Sequence, residues 1–138
     1  MILNAGGVVL SRRMFGEHDR LCAIFTEDLG KVPTRFVGVN RPAGKLKALS
    51  EPGVWGEYRL HLSVRSEFAK AVGGRLIAGF PGWRTSLERT VDALACCEML
   101  DRLTPYREPR PEKYLLICSF LAALEECHNR WLFPALGL

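Results

Sequence analysis

The chain has 138 residues, of which 48% are hydrophobic and 25% carry a charge. These are ordinary values for a globular protein, and they exclude a fibrous or intrinsically disordered chain. The net charge of +4 comes from the front half, because residues 1–82 hold 12 basic and 7 acidic side chains whereas residues 83–138 hold 7 and 8.

The front half is predicted to form five β-strands. Short apolar or alternating segments are separated by turns rich in glycine and proline, and they lie at 7–10, 21–26, 31–39, 54–64 and 73–80. In the fourth segment, Val54, Tyr58, Leu60, Leu62 and Val64 are expected to share one face. Five strands at this spacing predict a Greek-key barrel of the OB type, with an SH3-like barrel as the alternative.

The pattern becomes helical at Trp83. Thr85 and Glu88 fit a capping box at the start of the first helix. An apolar face follows at helical spacing, made of Leu87, Val91, Leu94, Ala95, Met99 and Leu103. A second helix is predicted at 112–127 and a short third one at 131–136. The predicted fold class is α+β, with an OB-type domain at 1–82 and a small helical domain at 83–138.

The sequence favours a binding protein over an enzyme. His18, His61 and His128 are scattered, and no familiar catalytic motif occurs. Cys127 and His128 lack a second pair of ligands, so neither a metal nor another cofactor is predicted. Five cysteines without a C-x-x-C pair, and the lack of a secretory signal or membrane span, predict reduced thiols and a cytoplasmic protein.

Nucleic acid is the partner that the charge pattern favours, the alternative being a mildly basic, solvated surface. No acidic residue lies between Asp28 and Glu51. The predicted phosphate contacts are Arg12, Arg13, Arg20, Lys31, Arg35, Arg41, Lys45 and Lys47. The aromatic residues available for base stacking are Phe15, Phe36, Trp55 and Tyr58, although each fits a core position as well.

A second hypothesis gives the main role to protein contacts. The helical half would offer an apolar groove to an acidic peptide tail. Its predicted contacts are Arg102, Lys113, Phe120 and Arg130.

The chain resembles a family of bacterial recombination mediators, RecO, through an ordered series of short motifs. They are G-V-V-L-S-R-R at 7–13, F-G-E-H-D-R-L at 15–21, F-T-E at 25–27, L-G-K at 29–31, V-G-V-N-R-P at 37–42, A-L-S-E-P at 48–52, L-D-R-L-T-P at 100–105 and L-G-L at 136–138. Each motif is weak alone, but their order and spacing are specific.

This resemblance implies an OB domain followed by a helical domain, and a nonenzymatic, nucleoid-associated role in DNA repair and recombination. It implies binding of single- and double-stranded DNA, strand annealing and RecA loading. The implied partners are RecR and the single-strand binding protein SSB, through its acidic C-terminal tail. RecO-like chains usually continue past L-G-L into a zinc-binding region and further helices, so the helical domain is expected to be truncated.

Overall fold

The computed structural model describes residues 1–39 and 46–130, with side chains up to residue 126. The predicted contacts Arg41 and Lys45 and the predicted helix at 131–136 lie outside the described residues. So do the side chains of Cys127, His128 and Arg130.

Five strands close into a barrel, which confirms the predicted OB-type fold. They are β1 (Ile2–Phe15), β2 (Asp19–Thr26), β3 (Gly30–Phe36), β4 (Trp55–His61) and β5 (Ala69–Ala78). Around the barrel the order is β1-β2-β3-β5-β4, with β3 and β5 parallel and every other pair antiparallel. β1 is longer than predicted because its first part pairs with β4 and its second part with β2.

The interior of the barrel is a first apolar core. Ile24, Val32, Phe36, Tyr58 and Leu60 are fully buried there. A 3₁₀ turn at Ala48–Ser50 adds Leu49, whose carbonyl accepts a 2.6 Å hydrogen bond from the hydroxyl of Tyr58. The predicted fourth strand is too long, because β4 ends at His61 and leaves Val64 exposed in the β4–β5 loop.

Three helices follow the barrel: α1 (Pro81–Arg84), α2 (Leu87–Leu103) and α3 (Pro111–Arg130). The predicted capping box is wrong by one residue. Ser86 is the N-cap of α2, and its hydroxyl accepts the N–H of Arg89, whereas the hydroxyl of Thr85 donates to the carbonyl of Gly82 in α1. No helix in the described ranges is long and apolar enough to cross a bilayer.

A second core joins the helices to the outside of the barrel. Its buried members come from both halves: Val8, Leu10, Phe25, Phe80, Trp83, Ala93, Cys97, Tyr114, Ile117, Cys118 and Leu121. The α2 residues in this core are small, so the helix packs close to β1. As a result the predicted apolar face is turned to solvent, and Leu87, Val91 and Leu103 are each more than half exposed.

Candidate nucleic-acid interface

The register of the barrel brings four basic side chains to one level of its outer surface. Arg13 on β1 pairs with Leu21, which pairs with Arg35 on β3. Arg35 pairs with Lys70 on β5, and Lys70 pairs with His61 on β4. Directly paired residues point to the same side of a sheet. Arg13, Arg35, Lys70 and His61 are all exposed, and we refer to these four residues as the basic row.

Two aromatic rings stand beside the basic row. Phe15 follows Arg13 by two residues and therefore projects from the same face of β1. Its ring lies edge-to-face with Phe68 of the β4–β5 loop, with centroids 5.8 Å apart. The guanidinium of Arg35 lies over the same ring at 4.9 Å. Both rings are only half-buried, so each keeps surface on which a base can stack.

Asp19 fixes the direction of Arg35. Its Oδ2 accepts hydrogen bonds from Nε and Nη2 of Arg35 at 2.9 and 2.6 Å. Its Oδ1 accepts the backbone N–H of Gly38 at 2.8 Å. These bonds hold the guanidinium over the ring of Phe15, and they neutralise part of its charge.

Replacing Asp19 with Asn is expected to lower stability at neutral pH and to have no effect in strong acid. The Gly38 hydrogen bond, and then that of Arg35, lower the pKa of the Asp19 carboxyl. Such a carboxyl stabilises the fold above its unfolded pKa of about 3.9, and this contribution is lost as the pH falls through the folded pKa. Urea unfolding of both proteins from about pH 7 to pH 2 should give curves that converge in acid. If the two proteins differed in free energy of unfolding by the same amount at every pH, the lowered pKa of Asp19 would be contradicted.

Arg12 and Arg20 from the predicted set hold the 3₁₀ turn in place. Nη1 of Arg12 lies 2.8 Å from Oε1 of Glu51, and Nη1 of Arg20 lies 3.1 Å from the same oxygen. Arg20 also donates to the hydroxyl of Ser50 at 2.8 Å, and its side chain is only 8% exposed. Arg20 is therefore a structural residue, whereas Arg12, which is 40% exposed, keeps a solvent-facing side.

Lys31 is also held inside the protein. Its ammonium donates to the carbonyl of Asp101 at 2.7 Å and lies 3.1 Å from Oδ1 of the same residue. It sits 4.2 Å above the ring of Tyr106. The Lys31 side chain is 7% exposed, so it ties β3 to the end of α2 and is not available to a phosphate.

Arg13 and Lys47 remain exposed cations. Neither side chain has an ion-pair or hydrogen-bond partner among the residues that the structure describes. Arg13 belongs to the basic row, and Lys47 lies in the turn that leads into Ala48–Ser50. Of the predicted cations, the structure therefore brings Arg13 and Arg35 together with two residues that the sequence reading missed, Lys70 and His61.

Burial excludes two of the predicted stacking residues. Phe36 and Tyr58 pack edge-to-face in the first core, 6.1 Å apart, and burial raises the pKa of the Tyr58 hydroxyl. Trp55 is half-buried, and its indole N–H donates to the hydroxyl of Tyr114 at 2.9 Å. Phe15 is the predicted stacking residue that lies beside the basic row. Phe68 was missed, although an aromatic residue in the loop before β5 was the available signal.

Of the residues predicted to bind a peptide tail, Arg102 lines a shallow groove whose described lining does not include Lys113 or Phe120, and the side chain of Arg130 lies outside the described residues. Arg102 is exposed on α2 and pairs with Glu98 at 2.7 Å. Lys113 is half-buried near the start of α3, and Phe120 packs against the second core. Beside Arg102 this groove of about 380 Å³ is lined by Ala95, Glu98, Met99 and Leu103. Within the described residues, no group of three His, Cys, Asp or Glu side chains could hold a metal ion.

Two family models match the chain, one described as recombination protein O N terminal at residues 1–80 and one as recombination protein O C terminal at residues 84–137. The DNA repair protein RecO of Desulfitobacterium hafniense is 31% identical over 126 residues, which cover 91% of this chain and 45% of that protein. The DNA repair protein RecO of Bacillus subtilis is 27% identical over 126 residues, with 91% and 49% covered. That of Myxococcus xanthus is 30% identical over 119 residues, with 86% and 48% covered. The chain spans about half the length of these relatives.

Proposed function

Because this chain belongs to the RecO family of DNA repair and recombination proteins, we propose that its barrel binds DNA along the basic row. The ligands are single- and double-stranded DNA, held without base specificity. In this proposal the domain at 1–82 binds DNA, and the domain at 83–138 contacts partner proteins.

The basic row supports this proposal most directly. Arg13, Arg35 and Lys70 are basic, exposed and aligned across neighbouring strands. Cations spaced along a surface attract a sugar–phosphate chain by releasing its condensed counterions. Phe15 and Phe68 add ring surface for unpaired bases, as on other OB barrels that hold single strands. This combination of charge and stacking suits holding a strand, and it reads little sequence.

The wider role follows from the same contacts. A surface that neutralises phosphates lowers the repulsion between two strands and so promotes annealing. In the whole protein we propose a nonenzymatic mediator that anneals strands and loads RecA together with RecR, after displacing SSB. Such a protein acts in the cytoplasm at the nucleoid.

A fluorescent oligonucleotide titrated at increasing salt tests DNA binding. If Arg13, Arg35 and Lys70 each contact one phosphate, the slope of log affinity against log salt should be about −2, from about −0.7 for each contact on a single strand. Oligonucleotides of different sequence should bind with similar affinity. Absent binding, or binding that salt does not weaken, would overturn the proposal.

A second candidate function is an adaptor that binds an acidic peptide tail, such as that of SSB, on the helical half. The exposed apolar side chains of Met99 and Leu103 beside Arg102 favour it. Binding of a tail peptide should survive charge reversal of Arg41, Lys45 and Lys47, and it should weaken when Arg102 is replaced by Glu. Fluorescence anisotropy of the labelled peptide measures both, and the opposite pattern would place the tail on the barrel.

A further inference from the structure

A small pocket lies on the outer surface of the barrel, next to the basic row. Its volume is about 180 Å³. The residues that line it come from β1, β2, β3 and the segment after α2, and they include Ser11, Arg13, Leu21, Ala23, Pro33 and Tyr106. Pockets that hold drug-sized ligands have volumes of about 300–1,000 Å³, so this pocket is suited to a smaller group such as a single aromatic ring system.

A β-bulge in β1 turns one wall of the pocket outward. Val9 belongs to the first core inside the barrel, and Leu10 belongs to the second core outside it. Regular alternation would therefore point Ser11 into the barrel. The β1–β2 register shifts between Val9 and Ser11, so that Ser11 pairs with Ala23 and lines the outer pocket together with Arg13. Bulges commonly redirect side chains beside functional sites.

Tyr106 supplies an aromatic ring that is held against the barrel. Tyr106 forms a parallel bridge with Lys31 of β3, and the N–H of Arg107 donates to the carbonyl of Lys31 at 2.9 Å. The ammonium of Lys31 lies 4.2 Å from the centre of the ring. Tyr106 is nevertheless 54% exposed. A ring that is fixed in advance and still open to solvent can stack on a planar group with little loss of conformational freedom.

The charges around the pocket favour a ligand that carries negative charge. Arg12 and Arg13 are the charged side chains of the described lining, which contains no acidic residue. Arg12 is paired with Glu51, whereas Arg13 has no ion-pair partner among the residues that the structure describes. Because Arg13 belongs to both the pocket and the basic row, a strand held by the row passes directly beside the pocket.

We propose that the pocket accepts one unpaired nucleobase of a strand lying on the basic row, with the base stacked on the ring of Tyr106. This inference rests on the DNA binding proposed above. Arg13 contacts a phosphate next to the inserted base, and the hydroxyl of Ser11 faces the edge of the base. An aromatic side chain of a partner protein fits less well, because it brings no phosphate to Arg13. A base paired within a duplex must first be extruded from the stack, so the pocket favours single strands over duplexes.

Replacement of Tyr106 by Leu should weaken single-strand binding about tenfold, the effect of losing one base–aromatic stack. The probe is a fluorescein-labelled strand of about 12 nucleotides, within the usual site size of an OB fold, measured alone and in a duplex by anisotropy with the full chain. Affinity for the duplex should change less than about twofold. The slope of log affinity against log salt should stay the same, since Tyr106 contacts no phosphate. Tyr106→Phe keeps the ring and should bind like the original chain.

A matched pair of variants tests the pocket without changing Tyr106. Ser11→Leu fills the pocket from its β1 wall and should weaken single-strand binding about tenfold. Ser119→Leu makes the same change at an exposed position of α3 and should leave binding unchanged. Urea unfolding of each variant checks that it folds.

Two results would overturn the base pocket alone. The first is an equal loss, or no loss, of single-strand and duplex affinity in Tyr106→Leu, because the ring would then hold no base. The second is unchanged single-strand affinity in Ser11→Leu, which would leave the pocket to another ligand such as an aromatic side chain of a partner. In both cases the original chain still binds DNA, so the proposed function stands. If the original chain binds neither the strand nor the duplex, the proposed function and the base pocket are overturned together.

Discussion

Replacement of Arg13 and Lys70 together by alanine is expected to weaken binding of single-stranded DNA about 30-fold, which is about 2 kcal/mol for two exposed charge contacts. Both residues lie on the basic row, and neither side chain has an ion-pair partner among the described residues, so their removal should not disturb the fold. The slope of log affinity against log salt should become shallower by about 1.4, since each lost contact removes about 0.7. Anisotropy titrations at several salt concentrations measure both quantities.

The matched control is the double variant Arg102→Ala with Arg110→Ala. It removes the same net charge from the helical half, where both side chains are exposed and paired with Glu98 and Glu108. DNA affinity should change less than about threefold in this control. Equal losses in the two double variants would mean that only total charge matters, and that the basic row has no special position.

Replacement of Lys31 by Met is expected to lower the free energy of unfolding by about 3 kcal/mol, because it leaves the largely buried Asp101 carboxylate without its cation. The melting temperature should fall by about 10 °C. Thermal and urea unfolding measure these changes. Affinity of the folded variant for DNA should remain near that of the original chain, since the ammonium faces Asp101 and Tyr106 and not solvent.

The second replacement Asp101→Leu, added to Lys31→Met, should recover much of the lost stability, because it removes the uncompensated carboxylate. Measuring the stability and the DNA affinity of the Lys31 variants together separates a structural role of Lys31 from a phosphate contact. A variant of unchanged stability that loses DNA affinity would return Lys31 to the phosphate contacts that the sequence pattern suggested.

Much of the barrel was predictable because strands and turns leave local signals. The alternation of Tyr58 and Leu60 with Arg59 and His61 is a local pattern, and it marks the two faces of β4 correctly. The early residues of β1 gave no such signal. They hold adjacent glycines, Gly6 and Gly7, and they become a strand because β4 pairs with them, which is a tertiary effect.

The site was harder to predict because charge in the sequence does not show charge in space. The segment between Asp28 and Glu51 contains no acidic residue. In the folded chain, however, Asp101 pairs with Lys31 and Asp19 pairs with Arg35. Glu51 likewise pairs with Arg20 of β2. Lys70 joins Arg35 only through a parallel strand pair, which no local pattern reveals. The face of α2 was misassigned for a related reason, because Ala93 and Cys97 are buried by large side chains of the barrel and of α3.

The second core sets the position of the helices relative to the barrel. Val8 and Phe25 on the barrel belong to the same buried cluster as Trp83 and Ile117 on the helices. Separating the barrel from the helices would expose this shared core to solvent, so each half buries apolar surface of the other. A ligand bound by the helices would therefore be held at a defined distance and angle from a ligand bound by the barrel.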